Sequence, residues 1–414
     1  MFTPELVKYI GLKSVTYSYS RSKRFHHYLM HICVGGTLAL LVLLAGYMLN
    51  RPPLHEDLGL TLEEKARKDG YSVERHEAIT KDGFVLGLFR LYKTQGQPVL
   101  LLHGFGLSPE SFVFNFYGKG LAYHLADAGY DIWLGCNRGN LHSRKHLYLA
   151  ENQREFWDWS ANEMVYFDVP ALVQKVLNLT HSAQLHAIGH SQGGTITATA
   201  LSIFPDLRSQ VKSLTMIASP PGKIPKLSFS IRLLSHHFTQ QVLHLCGIHK
   251  LADPPSSLAV TIAHYLPILA PFFAHSAFNP SLTGEDPALS LIASARLLGG
   301  ISLKSFEYVR QLANSSNNHP VFFNYGPSLN MLIYHSPIAP EIDYSVIGVP
   351  VAYFAGKADE FTSVSEKSLM KEQLGRWSEV HEVGYDHDHM GLLLSGKPQY
   401  LEELLVFLSS KRIS

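Results

Sequence analysis

Beyond residue 68, short apolar runs alternate with stretches of helical period. The runs are residues 99–102, 130–134, 185–188, 214–218, 349–354 and 380–383. Each is short, almost wholly apolar and bounded by turn residues, the pattern of a strand buried on both faces of a parallel sheet. Between the second and third runs, Val169, Leu172, Val173, Val176 and Leu177 fall on one helical face, with Asp168 placed to cap and Pro170 in the first turn. A last helix is expected after Pro398, where Leu401, Leu404, Leu405 and Leu408 form an apolar stripe. The βα alternation is broken once, by about 125 residues between the fourth and fifth runs, far beyond an ordinary crossover. That interval reads as an inserted unit, and its apolar stretch 258–274 is interrupted by Pro267 and Pro271, which argues against a membrane span. A helical cap is the expectation there.

The N-terminus follows a different pattern. Residues 29–49 are 21 positions without Asp, Glu, Lys or Arg, long enough as a helix to cross a bilayer core of about 30 Å. The run is longer than the core of a cleaved signal peptide, so an uncleaved anchor is expected. Arg21, Lys23 and Arg24 precede it and Arg51 alone follows, which puts residues 1–28 in the cytoplasm and the rest in a lumen or outside. The alternatives are secretion after signal cleavage and a lipid-droplet surface. Residues 50–68 read as a connector. Asn178 and Asn314 stand in glycosylation triplets, whereas Asn279 is blocked by the proline that follows it.

Composition narrows the partners. The formal net charge of +1 gives no electrostatic reason to expect nucleic acid. Cys33, Cys136 and Cys246 are too few for a disulfide framework. There are 23 histidines, yet no converging set of three or four ligands, so neither a metal nor a cofactor is expected.

The candidate chemistry lies in "IGHSQGGT", residues 188–195, where Gly189 and Gly193 flank Ser191 in the G-x-S-x-G pattern. Small flanking residues let a strand turn so sharply into a helix that the serine hydroxyl is presented. Such a serine needs a histidine base and a carboxylate. After run 349–354 the turn "AGKADE" offers Asp359, with Glu360 beside it, and after run 380–383 the turn "GYDHDHMG" offers His387 and His389. Two backbone N–H groups are needed for the developing oxyanion. Gln192 adjoins the serine, and "LLLHGFG" supplies Phe105 after an early strand. Cys136, in "GCNRGN", sits in no base-containing motif and reads as a small buried residue.

From about Gly70 onward the chain closely resembles the acid lipase family of α/β-hydrolases, which includes gastric and lysosomal acid lipases and membrane-anchored steryl ester hydrolases. The resemblance is carried by "GYSVERHEAITKDGFVLGLFRL", "LLLHGFG", "GYDIWLGCNRGNLHSRKH", "FWDWSANEMVYFDVPA", "IGHSQGG", "FFNYGPSLNMLIYHSPIAPEIDYS" and the two late turns. It implies an α/β-hydrolase domain over 69–414 with a mostly parallel sheet and a cap and lid inserted at about 220–345. It further implies Ser191 as nucleophile, Asp359 and His387 as its partners, and Phe105 and Gln192 as oxyanion donors. Asn137, Arg138 and the Trp157-Asp158 segment match positions that look structural. Two departures are visible: Asp359 is followed by "EFTSVSE" in place of a Leu-Ala-Asp-Pro-like string, and His387 by Asp388, His389 and Met390 in place of a Leu-Asp-Phe-like one. The expected activity is hydrolysis of steryl esters or triacylglycerols through an acyl-enzyme. An esterase for small soluble esters and a silent lipid-binding module are the alternatives.

Overall fold

The computed structural model describes residues 60–93, 96–114, 119–220, 229–251, 297–315, 319–359, 361–362, 364–380, 385–394 and 398–410, with isolated positions 36, 37, 46, 57, 222, 224 and 227. The chain divides at residue 54, into Met1–Leu54 and His55–Ser414, and the second unit carries the sheet. The expected membrane span 29–49 lies outside the described residues except for three positions. Among the described residues no helix is long and apolar enough to cross a membrane.

A nine-stranded sheet organises the second unit. Its main strands are β1 (Ser72–Ile79), β2 (Phe84–Tyr92), β3 (Pro98–Leu102), β4 (Asp131–Gly135), β5 (Leu185–His190), β6 (Val211–Ile217), β7 (Val351–Phe354) and β8 (Ser378–Val380). They lie in the order β1-β2-β4-β3-β5-β6-β7-β8, with the short strand Lys145–His146 paired to β2. From β4 to β8 every neighbouring pair is parallel, while β1 and β2 form an antiparallel hairpin whose second strand joins β4 antiparallel. The first five expected runs fall largely on strands of the parallel part; of the sixth, 380–383, only Val380 is described, and it lies in β8. The hairpin was not among the expected elements.

Period-two packing explains why the central strands are apolar throughout. Val99 and Leu101 of β3 join one core, with Ile132 and Leu134 of β4 and Ile188 of β5. Leu100 and Leu102 join the opposite core with Trp133, Leu185 and Ala187. Helices α1 (Leu121–Asp127) and, at the C-terminus, Leu401–Ser410 cover the first face; α2 (Val169–Thr180) and α3 (Gln192–Ile203) cover the second. In the C-terminal helix Leu401, Leu404 and Leu408 are buried and Leu405 packs beside them, as the stripe predicts.

Asp168 does not cap α2. The helical path begins earlier, at Ser160, whose hydroxyl and Glu163 form a reciprocal capping box, and it runs through a π-turn at Met164–Asp168 into α2. Asp168 is thus inside the helix, where its carboxylate binds buried Arg138 instead of a helix terminus.

Within the long insertion the description includes Phe229–Leu234, α4 (His237–Leu245), α5 (Leu303–Asn314) and Pro327–Tyr334, with a two-stranded ribbon pairing Lys250–Leu251 to Ile301–Ser302. The apolar stretch 258–274 lies outside the described residues.

Candidate active site

The nucleophile elbow is built by close backbone approach. A Cβ on Gly189 would lie 2.1 Å from the Gly194 nitrogen, and one on Gly193 would lie 2.1 Å from the Leu102 carbonyl oxygen. Only glycine lets β5 turn into α3 while α3 presses on β3. Ser191, at the apex, has φ 52° and ψ −123°, a conformation that costs a non-glycine residue about 1–3 kcal/mol. Its N–H donates to the Ile217 carbonyl at 2.8 Å, which ties the apex to the end of β6.

Asp359 follows β7 and His389 follows β8, at the carboxyl edge where β5 delivers Ser191. In the tautomer that satisfies both contacts, Ser191 Oγ–H donates to His389 Nε2 at 2.9 Å and His389 Nδ1–H donates to the Asp359 carboxylate at 3.0 Å. The three side chains are almost dry: Ser191 and His389 are each 8% exposed and Asp359 is 4% exposed. The His389 ring is held between the edge of Phe361, with centroids 4.7 Å apart, and His190 at 5.1 Å. Burial alone would push the Asp359 carboxyl up. The adjacent His389 ring, its hydrogen bond, the Thr362 hydroxyl and the Phe361 N–H outweigh burial and hold it below the ordinary carboxylate value.

The expectation for His387 is corrected here. His389, two positions on, is the histidine brought to Ser191 and Asp359. The backbone around His387 continues the β7–β8 pairing: Gly356 bridges Tyr385 in parallel register, and Ala358 N–H donates to the His387 carbonyl at 3.2 Å. The chain is still running alongside the aspartate loop at that point. It turns at Asp388, whose carboxylate accepts from the Gly391 N–H at 2.7 Å and whose carbonyl accepts from the Leu392 N–H. This N-cap starts the short helix Gly391–Leu394 and leaves His389 in the turn facing Ser191. The signal in the sequence is an Asp just before the apolar string "MGLLL".

The loop after β3 abuts the elbow. A Cβ on Gly104 would meet the Ser191 Cβ and the His190 ring, each at 3.0 Å. His103 Nδ1–H donates to the Gly104 carbonyl at 3.0 Å while its Nε2 accepts from the Asn137 N–H at 3.2 Å. Burial holds His103 at about 4 and, with the His389 ring beside it, His190 at about 3, so both imidazoles are neutral. His190 Nε2–H donates to the His389 carbonyl at 3.1 Å, fixing the histidine turn from beneath. Sequence reasoning gave neither His103 nor His190 a part, although both flank the motif residues. Phe105 follows Gly104, and Gln192 is the first residue of α3. Glu360 lies outside the described residues.

Residues 97–387 match the model of the α/β-hydrolase fold family, and residues 62–116 match that of the partial α/β-hydrolase lipase region. The chain is 31% identical to lipase member K of Homo sapiens over 315 residues, 70% of this chain and 75% of that protein. It is 30% identical to the gastric triacylglycerol lipase of Mus musculus over 350 residues, 78% of this chain and 84% of that protein. With the gastric triacylglycerol lipase of Rattus norvegicus the identity is 29% over 362 residues, 81% of this chain and 88% of that protein. The chain belongs to the acid lipase family of α/β-hydrolases. It is a carboxylic ester hydrolase.

In this acid lipase the "GCNRGN" segment lies behind the site. Cys136 is buried and burial raises its thiol well above the ordinary value, whereas Cys246 is exposed; both are free. Arg138 is buried between Asp82, at 2.7 Å, and Asp168, at 2.7 Å. Among the described residues no group of three or more His, Cys, Asp or Glu side chains could hold a metal. Asn178 and Asn314 are both exposed.

Proposed function

We propose that the chain hydrolyses lipid esters through an acyl-enzyme on Ser191, with His389 as base and Asp359 as its orienting carboxylate. The continuous Ser191–His389–Asp359 hydrogen-bond chain at the carboxyl edge of the sheet carries this reading. Ser191 Oγ attacks the ester carbonyl as its proton passes to His389 Nε2; the tetrahedral intermediate collapses by breaking the carbon–oxygen bond, and His389 returns the proton to the departing alcohol. Water then repeats the sequence on the acyl-serine and releases the acid. Asp359, ionised and acceptor-only, keeps Nδ1 protonated so that Nε2 is free to accept.

Phe105 and Gln192 are assigned to the oxyanion. The Gln192 N–H belongs to the first turn of α3, where no acceptor within the helix is available. The trans peptide that directs the Gly104 carbonyl to His103 and Leu107 directs the Phe105 N–H the opposite way, and Gly104 abuts Ser191.

The substrate class rests on the insertion, the anchor and the relatives. The insertion at about 220–345 is assigned as the cap, and its helix α4 turns Phe238, Val242 and Leu245 outward. Residues 29–49 are assigned as a membrane anchor with the catalytic domain lumenal or outside, which keeps the enzyme where neutral lipids dissolve. Each buried CH₂ contributes about 0.8 kcal/mol, so a sterol or long acyl chain gains far more than an acetate. Gastric relatives named for triacylglycerol support acylglycerols; the anchor favours steryl esters. The test compares kcat/KM for cholesteryl oleate, triolein and a short p-nitrophenyl ester in one detergent system, with Ser191→Ala as control. Preference for the long esters, and loss of about 10⁴-fold or more in turnover with Ser191→Ala, are expected. A strong preference for the short ester that cap substitutions leave unchanged contradicts the lipid assignment.

A further inference from the structure

The last part of the insertion returns onto the loop after β3. Leu298 pairs with Leu107 in an antiparallel bridge, and the Gly299 N–H donates to the Gly106 carbonyl at 2.9 Å. The contact is too close for any side chain at 299: a Cβ there would lie 2.1 Å from Asn140 Nδ2 and 2.3 Å from the Leu107 carbonyl oxygen. Asn140 Nδ2–H itself donates to that carbonyl at 3.0 Å, so Asn140 and Gly299 close around Leu107 together. One turn into α5, the Phe306 ring meets the Phe105 ring edge-on, with centroids 5.1 Å apart, and is nearly buried.

We infer that this return limb, residues 297–306, positions the oxyanion loop, with Phe306 holding Phe105 and Gly299 seating Gly106 and Leu107. The inference rests on the reading that the Phe105 N–H binds the oxyanion. Phe306 and Gly299 are positioning residues: they touch the loop, and their effect reaches the reacting atoms through the placement of one N–H. A backbone donor displaced by an ångström loses much of its value, since misplacement on that scale costs about 10²-fold in rate. The insertion thereby contributes to chemistry on every ester, including one too small to touch the cap.

The test uses the full chain and a short p-nitrophenyl ester. Phe306→Ala should lower kcat by about 10-fold or more while KM stays within about 2-fold, because transition-state stabilisation is lost and ground-state binding is kept. Phe306→Tyr, which retains the ring, should restore kcat. Phe105→Ala should show the same loss, and the double variant should be no worse than the poorer single, since both act through one contact. Affinity for a boronic acid, which forms a tetrahedral adduct on the serine, should fall in step with kcat. Gly299→Ala should cost roughly 10²-fold; if it does not fold, the Phe306 pair of variants decides. The inference is overturned if Phe306→Ala raises KM for long-chain esters and leaves kcat on the short ester and boronate affinity unchanged, for the limb would then be a wall of the substrate cleft. Undiminished turnover by Ser191→Ala would instead overthrow the reading on which the inference rests.

Discussion

His389 sits in a turn fixed from three sides: the Asp388 cap, the His190 ring beneath, and Phe361 at its edge. The two neutral imidazoles behind the site have a consequence for stability. His103 and His190 are held at about 4 and about 3, whereas in the unfolded chain both titrate near 6.5. Between about pH 6.5 and 4 the unfolded chain therefore binds protons that the native protein refuses. Stability contributed by these depressed values is present above about pH 6.5 and is lost as the pH falls toward 4 and 3. Urea midpoints measured across that range should decline with acidification, and His190→Asn should flatten the decline by about one proton; a wild-type midpoint that does not move would contradict the burial argument. That Ser191 and Asp359 would meet at one sheet edge was legible in the sequence, because each is fixed by a local strand-to-turn pattern. The choice between His387 and His389 was not. It depends on how far the β7–β8 pairing runs past Phe354, a non-local register set by Gly356, where a Cβ would lie 2.0 Å from the His387 carbonyl oxygen.

At the scale of elements, the parallel strands were legible because two cores bury both faces and leave few polar positions. The β1–β2 hairpin was not, since β1 reads "SVERHEAI" and only Ala78 in it is fully buried. Its turn nevertheless has a mechanical role. Asp82 in that turn and Asp168 in the helix before α2 grip Arg138, which joins the hairpin to the segment behind the loop after β3. Burial raises the Asp168 carboxyl despite the guanidinium beside it, so the pair depends on Arg138 staying in place. Arg138→Leu leaves a buried carboxylate unpaired and should cost about 3–5 kcal/mol of unfolding free energy, read from urea denaturation. Loss of less than about 1 kcal/mol would mean that water already reaches this cluster. Asp168 before Val-Pro mimics a helix start, but the Ser160–Glu163 capping box further upstream is the stronger signal.

For the whole molecule, three distant chain regions converge on one edge of one sheet, and the insertion closes back on that same edge. Catalysis should be separable from the membrane anchor proposed at residues 29–49. If residues 29–49 are the membrane anchor proposed above, removing residues 1–50 should release the protein from membranes and leave turnover of a dispersed short ester within about 3-fold, since Ser191, His389 and Asp359 all belong to the unit His55–Ser414; alkali-resistant membrane association of the truncated chain would contradict the single-anchor assignment. The fold class was readable from alternation alone, whereas the seating of Leu298 and Gly299 on the loop after β3 was not, because it joins residues nearly two hundred positions apart through backbone atoms. The central claim is that Ser191 is a nucleophile activated by His389. Its most direct test is labelling by a fluorophosphonate, with the modified peptide located by mass spectrometry, in the wild type, His389→Ala and His387→Ala. The account predicts label on Ser191 in the wild type and in His387→Ala, and labelling slowed by at least about 10³-fold in His389→Ala. Rapid labelling of His389→Ala, or none in the wild type, would contradict it.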